Sequence, residues 1–410
     1  MNSNLYLIIW RFYLNRPKKY FPLFVFIVLI SLLAACAAPA VNTVTAPTAE
    51  PAAVEPTAVE PTQVEPATAE PTAPAETSEV VLTDVDGNTV TLPQHPQRIV
   101  VAGKATPYVL DTLYLFPDAA QKLTALEVRG FDTQSFLSLV DPDVEVKNTI
   151  ERDAGAEQIA PYDPDLVILK NFSVAKMAPP LNQIGIPVLG LNLETPEFFY
   201  QDIQLIGQIL DDEIRAEEII NFYQQHVTTV EELLATINQD QKPSVLVLQY
   251  TEDGGEVAFK VPPENYLQTI LVEMAGGEPV WLDEVGTSDN WMVVGLEQIA
   301  AWNADMVFVV QYNGDSTEAA QKITENTNWQ TLDAVKNEQI FGFPADHASW
   351  DLIDPRWILG LQWLTETINP ELQDNIDLQQ EVFNFYQQMY RLSETQIESE
   401  ILPKLNELGF

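Results

Sequence analysis

Cysteine, histidine and basic side chains are scarce in this chain. Its 410 residues include one cysteine, Cys36, and three histidines. A single cysteine excludes any internal disulfide and any metal centre built from several thiolates. Lysine and arginine total 20 against 60 aspartates and glutamates, a formal net charge of −40. A surface of that sign repels a phosphate backbone and anionic headgroups, which argues against nucleic-acid binding. It says little about a ligand, because a cleft can differ in sign from its surroundings. Gly-x-Ser-x-Gly, His-Glu-x-x-His and the phosphate-binding loop are also absent. What is present is a 46% hydrophobic, 10% aromatic composition, enough for a large core and for more than one domain.

The first 35 residues read as a targeting segment. Arg11, Arg16, Lys18 and Lys19 make a basic region, and Tyr20 to Ala35 is apolar apart from Ser31. The run is short for a membrane span, which needs about 20 apolar residues. It ends in Leu33-Ala34-Ala35-Cys36, which resembles the lipobox of bacterial lipoproteins. That resemblance implies a signal peptide over residues 1–35 and an acylated Cys36 anchoring the chain in the membrane. Residues 36–78 form a Pro/Thr/Glu-rich tether in which Val-Glu-Pro recurs at Val54, Val59 and Val64. Frequent proline favours an extended, disordered spacer over a packed repeat.

From residue 79 onward, apolar runs alternate with helical patterns, the mark of βαβ units. Strands are expected at Ile99–Val101, Leu166–Leu169 and Val188–Leu189, then at Val245–Leu248, Met306–Val310 and Ile340–Phe341. The stretch Glu157 to Ile168 reappears as Glu297 to Phe308: a short helix, a tight turn, then a buried strand. Two lobes of related design are therefore expected, over residues 79–210 and 243–410, each a doubly wound sheet. Between them no Pro or Gly interrupts Asp211 to Lys242. Apolar residues there, from Ile214 through Ile237, follow a helical period. The expectation is an α/β protein of two Rossmann-like lobes joined by one long rigid helix, with a ligand cleft between the lobes.

The order of motifs resembles the iron-siderophore and cobalamin class of ABC-importer binding proteins. The resemblance covers most of residues 80 to 390. It rests on Thr83 to Val90, Pro96 to Val101, Pro164-Asp165-Leu166-Val167, Gly185-Ile186-Pro187-Val188, Met274-Ala275-Gly276-Gly277, Trp350, Pro355-Arg356 and Gly360 to Leu364. It implies a non-enzymatic, extracytoplasmic receptor that captures an iron complex or related metal chelate. No catalytic cofactor is implied, since the chelate is cargo. The implied partner is an ABC permease dimer with its cytoplasmic ATPase. The resemblance assigns docking onto permease arginines to Glu157 and Glu297. Cobalamin, haem and molybdate or tungstate stay open as cargo, as does a surface sensor or adhesin without transport.

Ligand contacts are expected just beyond the strand ends. In the first lobe these are Lys104, Thr106, Tyr108, Asn171 and Phe172. In the second they are Tyr250, Lys260, Asn290, Trp291, Tyr312, His347 and Trp350. Aromatics stack on flat chelates and lysines pair with anionic ones, although each aromatic is equally suited to core packing. Arg356 reads as the start of a helix. An enzymatic alternative rests on Ser173-Val174-Ala175-Lys176 and Ser288-Asp289-Asn290, which share short motifs with serine β-lactamases. The Lys-Thr-Gly element of that group is missing. Ser173 also follows a strand so closely that it is not expected to open a helix.

Overall fold

A computed structural model describes residues 79–127, 133–238, 242–285, 288 and 290–410, with the backbone alone for 133–135. Cys36, the targeting segment and the tether lie outside the described residues. Among those residues no helix is long and apolar enough to cross a membrane.

A hairpin opens the fold, β1 (Val80–Thr83) against β2 (Thr89–Leu92). Asp84 closes its turn by accepting from the Asp86 and Asn88 N–H groups, and its second oxygen accepts from Gly190 N at 3.0 Å. The hairpin is thereby tied to the first lobe. That lobe carries β3 (Ile99–Ala102), β4 (Leu123–Glu127), β5 (Asn148–Ile150), β6 (Leu166–Lys170) and β7 (Val188–Leu191), all parallel, in the order β5-β4-β3-β6-β7. β3, β6 and β7 bury every residue, as continuous apolar strands covered on both faces must. The order reverses between β3 and β6, which opens a crevice at their carboxyl ends. There α1 (Thr106–Leu113) follows β3 and α3 (Asn171–Gln183) follows β6. The short α2 (Ala156–Ile159) precedes β6. Ser173 does lie in the first turn of a helix, against expectation, because α3 begins directly where β6 ends.

Thr195 caps α4 (Pro196–Leu210) by accepting from Phe198 N, and Asp211 ends it in the left-handed region at φ 62°. Asp212 then caps α5 (Glu213–Leu234) by accepting from Arg215 N. The connecting helix therefore has 22 residues, about 33 Å, and starts two residues later than the unbroken run suggested. Aspartate there acts first as a stop and then as a cap. Ile214, a member of the expected apolar stripe, is 75% exposed, whereas Ala216, Ile219, Ile220, Tyr223 and Val230 are buried.

The second lobe holds β8 (Ser244–Asp253), β9 (Glu256–Val261), β10 (Glu278–Pro279), β11 (Met292–Val294), β12 (Met306–Val310) and β13 (Ile340–Gly342) in one sheet, with the path β11-β9-β8-β12-β13 and β10 on β8. It is mixed. β8, β10, β12 and β13 run parallel, β9 returns antiparallel beside β8, and β11 on the edge is antiparallel to β9. Gly254 and Gly255, at φ 59° and 87°, permit the tight β8–β9 turn.

The repeated stretch is the same structure twice. α2 leads into Asp163 at φ 47° and then β6, while α6 (Leu296–Trp302) leads into Asn303 at φ 41° and then β12. The following aspartates do equivalent work. Asp165 accepts from the N–H groups of Gln97 and Arg98 before β3, and Asp305 accepts from Ser244 N at the start of β8.

Both lobes belong to one compact unit, and a single apolar cluster runs through it. Phe199 of α4, Tyr223 of α5 and Trp357 of α7 (Trp357–Ile368) stack in sequence, with centroids 4.7 and 5.2 Å apart. After α8 (Leu378–Tyr390), Arg391 donates to the carbonyls of Tyr114 and Leu115, so the chain returns to the first lobe.

Candidate functional site

A cavity of about 180 Å³ lies between the lobes. Pro107, Tyr108 and Asp111 of α1 form one wall, and Gln311, Tyr312, Asp346, His347, Ser349 and Asp354 contribute to the other. No lysine or arginine lines it. Arg356 stands behind the wall, fully buried at the start of α7. Its Nη1 donates to Asp111 Oδ2 at 2.8 Å and to Asp354 Oδ1 at 2.7 Å, and its Nε lies 2.8 Å from Asp346 Oδ1. The guanidinium also covers the Phe136 ring at 4.1 Å. Arg356 thus joins carboxylates of both lobes, beyond the helix-starting role read from the sequence.

These carboxylates differ in how they are bonded. Asp346 is saturated, receiving Trp350 Nε1 at 3.0 Å and the Tyr386 hydroxyl at 2.5 Å besides Arg356. Although burial opposes ionisation, Arg356 and these bonds hold its carboxyl below the usual range. Asp351 accepts from Ser349 Oγ at 2.5 Å, Tyr312 Oη at 2.7 Å and Gln268 Nε2 at 3.1 Å. Asp111 Oδ1 and Asp354 Oδ2 are shut off from water and accept no bond from an N–H or hydroxyl group, and Arg356 Nη2 beside them finds no acceptor. Burial, then repulsion from Asp354 and a side-chain hydrogen bond with it, push the Asp111 carboxyl up against the pull of Arg356. Burial and nearby carboxylates likewise raise the Tyr108 and Tyr312 phenols, which stay neutral donors.

Of the sequence-predicted contacts, the cavity brings together Tyr108, Tyr312 and His347. Trp291 adjoins it, edge-on to Tyr312 at 6.2 Å. Trp350 is wholly buried and positions Asp346. Thr106 is buried with its hydroxyl donated to Gly103 O at 2.7 Å. Asn290 is exposed, and Lys260 lies on β9 opposite Gln249. Lys104 and Phe172 line a separate first-lobe pocket of about 280 Å³ with Gly155 and Lys176. Asn171 accepts from the buried Lys170 Nζ, which also pairs with Glu194 at 2.7 Å. Tyr250 borders a groove of about 350 Å³ on the second lobe with Val293, Leu296 and Trp329. Glu157 and Glu297 are both exposed, in the first turns of the matched helices α2 and α6. Sequence reasoning missed Asp111, Asp354 and the part played by Arg356. The Asp354-Pro355-Arg356 run was the sole local signal.

A model of the periplasmic binding protein family matches residues 110–347. The chain belongs to this family. As a member it is an ABC-transporter solute-binding protein, extracytoplasmic and non-enzymatic, which implies a permease partner and a small ligand. The molybdate-binding protein MolA of Haemophilus influenzae is 21% identical over 338 residues, 76% of this chain and 91% of that protein. The iron-uptake system-binding protein of Bacillus subtilis is 24% identical over 190 residues, 45% of this chain and 56% of that protein. A periplasmic solute binding protein of Veillonella parvula shares the fold at a TM-score of 0.64 and 22% identity, covering 80% of this chain and 98% of that one. The two-lobed α/β architecture expected from the sequence is the architecture of that structure.

Proposed function

We propose that the protein is a lipid-anchored receptor that captures a metal chelate, an iron complex foremost, and delivers it to an ABC permease. The observation that carries this reading is the interlobe cavity, walled from both lobes at the strand ends. Its best-bonded carboxylates are held by tryptophan, tyrosine, serine and arginine, so they do not converge on a bare ion. A ligand that brings its own coordination shell needs only a polar rim and aromatic walls, which Tyr108, Tyr312 and Trp291 supply. The relatives named for iron uptake and for molybdate support a transition-metal cargo. The acidic wall favours the first over an oxyanion.

Anchoring through Cys36, with residues 37–78 as tether, is supported by the sequence. Docking through Glu157 and Glu297 is supported by their equivalent exposed positions, from which carboxylates can pair with arginines across an interface.

The test is tryptophan fluorescence of the purified protein, titrated with ferric hydroxamates, ferric catecholates, haem, cobalamin and molybdate. Trp291 is expected to report saturable binding of a ferric chelate at sub-micromolar concentration. Saturation by molybdate alone would replace the chelate reading with an oxyanion one.

A further inference from the structure

We infer that an apolar pocket accompanies each docking glutamate, and that the two pockets take one apolar side chain from each half of the permease dimer. The inference rests on the docking role proposed for Glu157 and Glu297 and adds a contact beside their charge pairs. Beside Glu157 lies the first-lobe pocket of about 280 Å³, with Ala156, Phe172 and Met177 in its wall. Beside Glu297 lies the second-lobe groove of about 350 Å³, with Val257, Val293 and Leu296 in its wall.

These two pockets occupy equivalent places in the two lobes. Ile99 pairs with Leu166 across β3 and β6, and Val245 pairs with Met306 across β8 and β12. Leu166 and Met306 are matched positions of the repeat. Counting five residues on from Ile99 and from Val245 reaches Lys104 in one pocket and Tyr250 in the other. Gly155-Ala156, just ahead of Glu157, and Gly295-Leu296, just ahead of Glu297, line them in the same way. The helices that follow β6 and β12, α3 and Ser316–Glu325, each bring a lysine to the rim, Lys176 and Lys322. The Glu157 carboxylate lies against its pocket, since a Cβ added at Gly155 would stand 2.6 Å from Oε2.

Both pockets leave large apolar side chains in water. Phe172 is 53% exposed at the first, and Val293, on the edge strand β11, is 65% exposed at the second. Apolar surface gathered beside an exposed carboxylate marks a contact with another protein. A pocket and a carboxylate that recur together fit a partner that repeats its own contact, as the two halves of a dimer do. A second copy of this chain fits poorly, because a net charge of −40 repels itself. A permease that offers arginines to Glu157 and Glu297 is complementary in sign. An apolar side chain seated beside each arginine would exclude water from the charge pair.

The full chain, expressed in its own cells, should carry a benzophenone photocrosslinking residue at Phe172, Val293, Gln158 or Val146, one position at a time. Gln158 is exposed beside Glu157, and Val146 is exposed but lines neither pocket. After irradiation of intact cells, the captured protein is identified by mass spectrometry. A permease subunit is expected from Phe172 and from Val293 at about tenfold the Val146 yield. Phe172→Asp with Val293→Asp should cut permease capture from Gln158 about tenfold, the loss that one unburied apolar side chain brings. Permease capture from Gln158 with only the Val146 yield at Phe172 or Val293 overturns the inference and leaves docking through the glutamates standing. Capture of a second copy of this chain from the two pockets also overturns it. Permease capture from both pockets that Glu157→Lys with Glu297→Lys does not diminish removes the glutamates and leaves the pockets. No permease capture from any position overturns both readings. If the double aspartate variant does not fold, the yields from Phe172, Val293 and Val146 still decide.

Discussion

Asp202 lies fully buried on α4, and its Oδ2 accepts from Asn192 N at 2.7 Å and Leu193 N at 2.8 Å. These bonds hold the chain where it leaves β7, with Leu193 at φ 60°. Its Oδ1 receives no donor. Burial raises the carboxyl to about 7, against the two N–H bonds and the charge of Lys170. A carboxyl raised on folding binds its proton more tightly in the folded state. Its contribution is therefore complete below the unfolded value near 4 and is lost as pH rises through 7. Asp202→Asn keeps an acceptor for the N–H groups and removes the charge. The melting temperature of this variant relative to wild type should climb between pH 4 and pH 8, corresponding to at most about 4 kcal/mol. A difference that does not vary with pH would show that Asp202 is ionised throughout.

Among the elements, α7 is packed tightly against the site. Its Gly360 sits where an added Cβ would lie 2.4 Å from Trp350 O and 3.1 Å from Trp350 C. Those are backbone atoms of the segment that forms the cavity wall, so they cannot swing aside. On an exposed helix, Gly→Ala stabilises by about 1 kcal/mol through propensity. Here overpacking should reverse the sign, and Gly360→Ala should destabilise by about 1–3 kcal/mol, read from the urea midpoint. A midpoint that rises would mean that α7 can move away from Trp350. α5 is constrained differently, through the His226–Glu381 pair at 2.6 Å and the Phe199–Tyr223–Trp357 stack.

For the whole molecule, the contacts that cross between lobes are numerous and buried. One apolar cluster spans them, Arg356 joins Asp111 to Asp346 and Asp354, and Arg391 returns the chain's end to the first lobe. Two lobes held this way hinge little, which bears on the docking role proposed for Glu157 and Glu297. Reversing both charges, Glu157→Lys with Glu297→Lys, should abolish cellular uptake of the cargo and leave ligand affinity within about twofold, since neither residue lines the cavity. Uptake at the wild-type rate would remove these residues from the docking surface.

What the sequence determined by itself was whatever depends on near neighbours in the chain. The parallel strands were legible because burial on both faces demands unbroken apolar runs. The repeat was legible because the same local bonds, at Asp165 and Asp305, serve both lobes. Asp211 and Asp212 misled the helix boundary because one residue type serves both as stop and as cap. The mixed second sheet was missed although Gly254-Gly255 mark its turn, since strand direction is decided by pairing partners. The cavity wall belongs wholly to the tertiary structure. Asp111 and Arg356 stand 245 positions apart, and neither their ion pair nor the Asp111–Asp354 pair beside it leaves a pattern in the chain. Those features exist because folding desolvates both groups at one place.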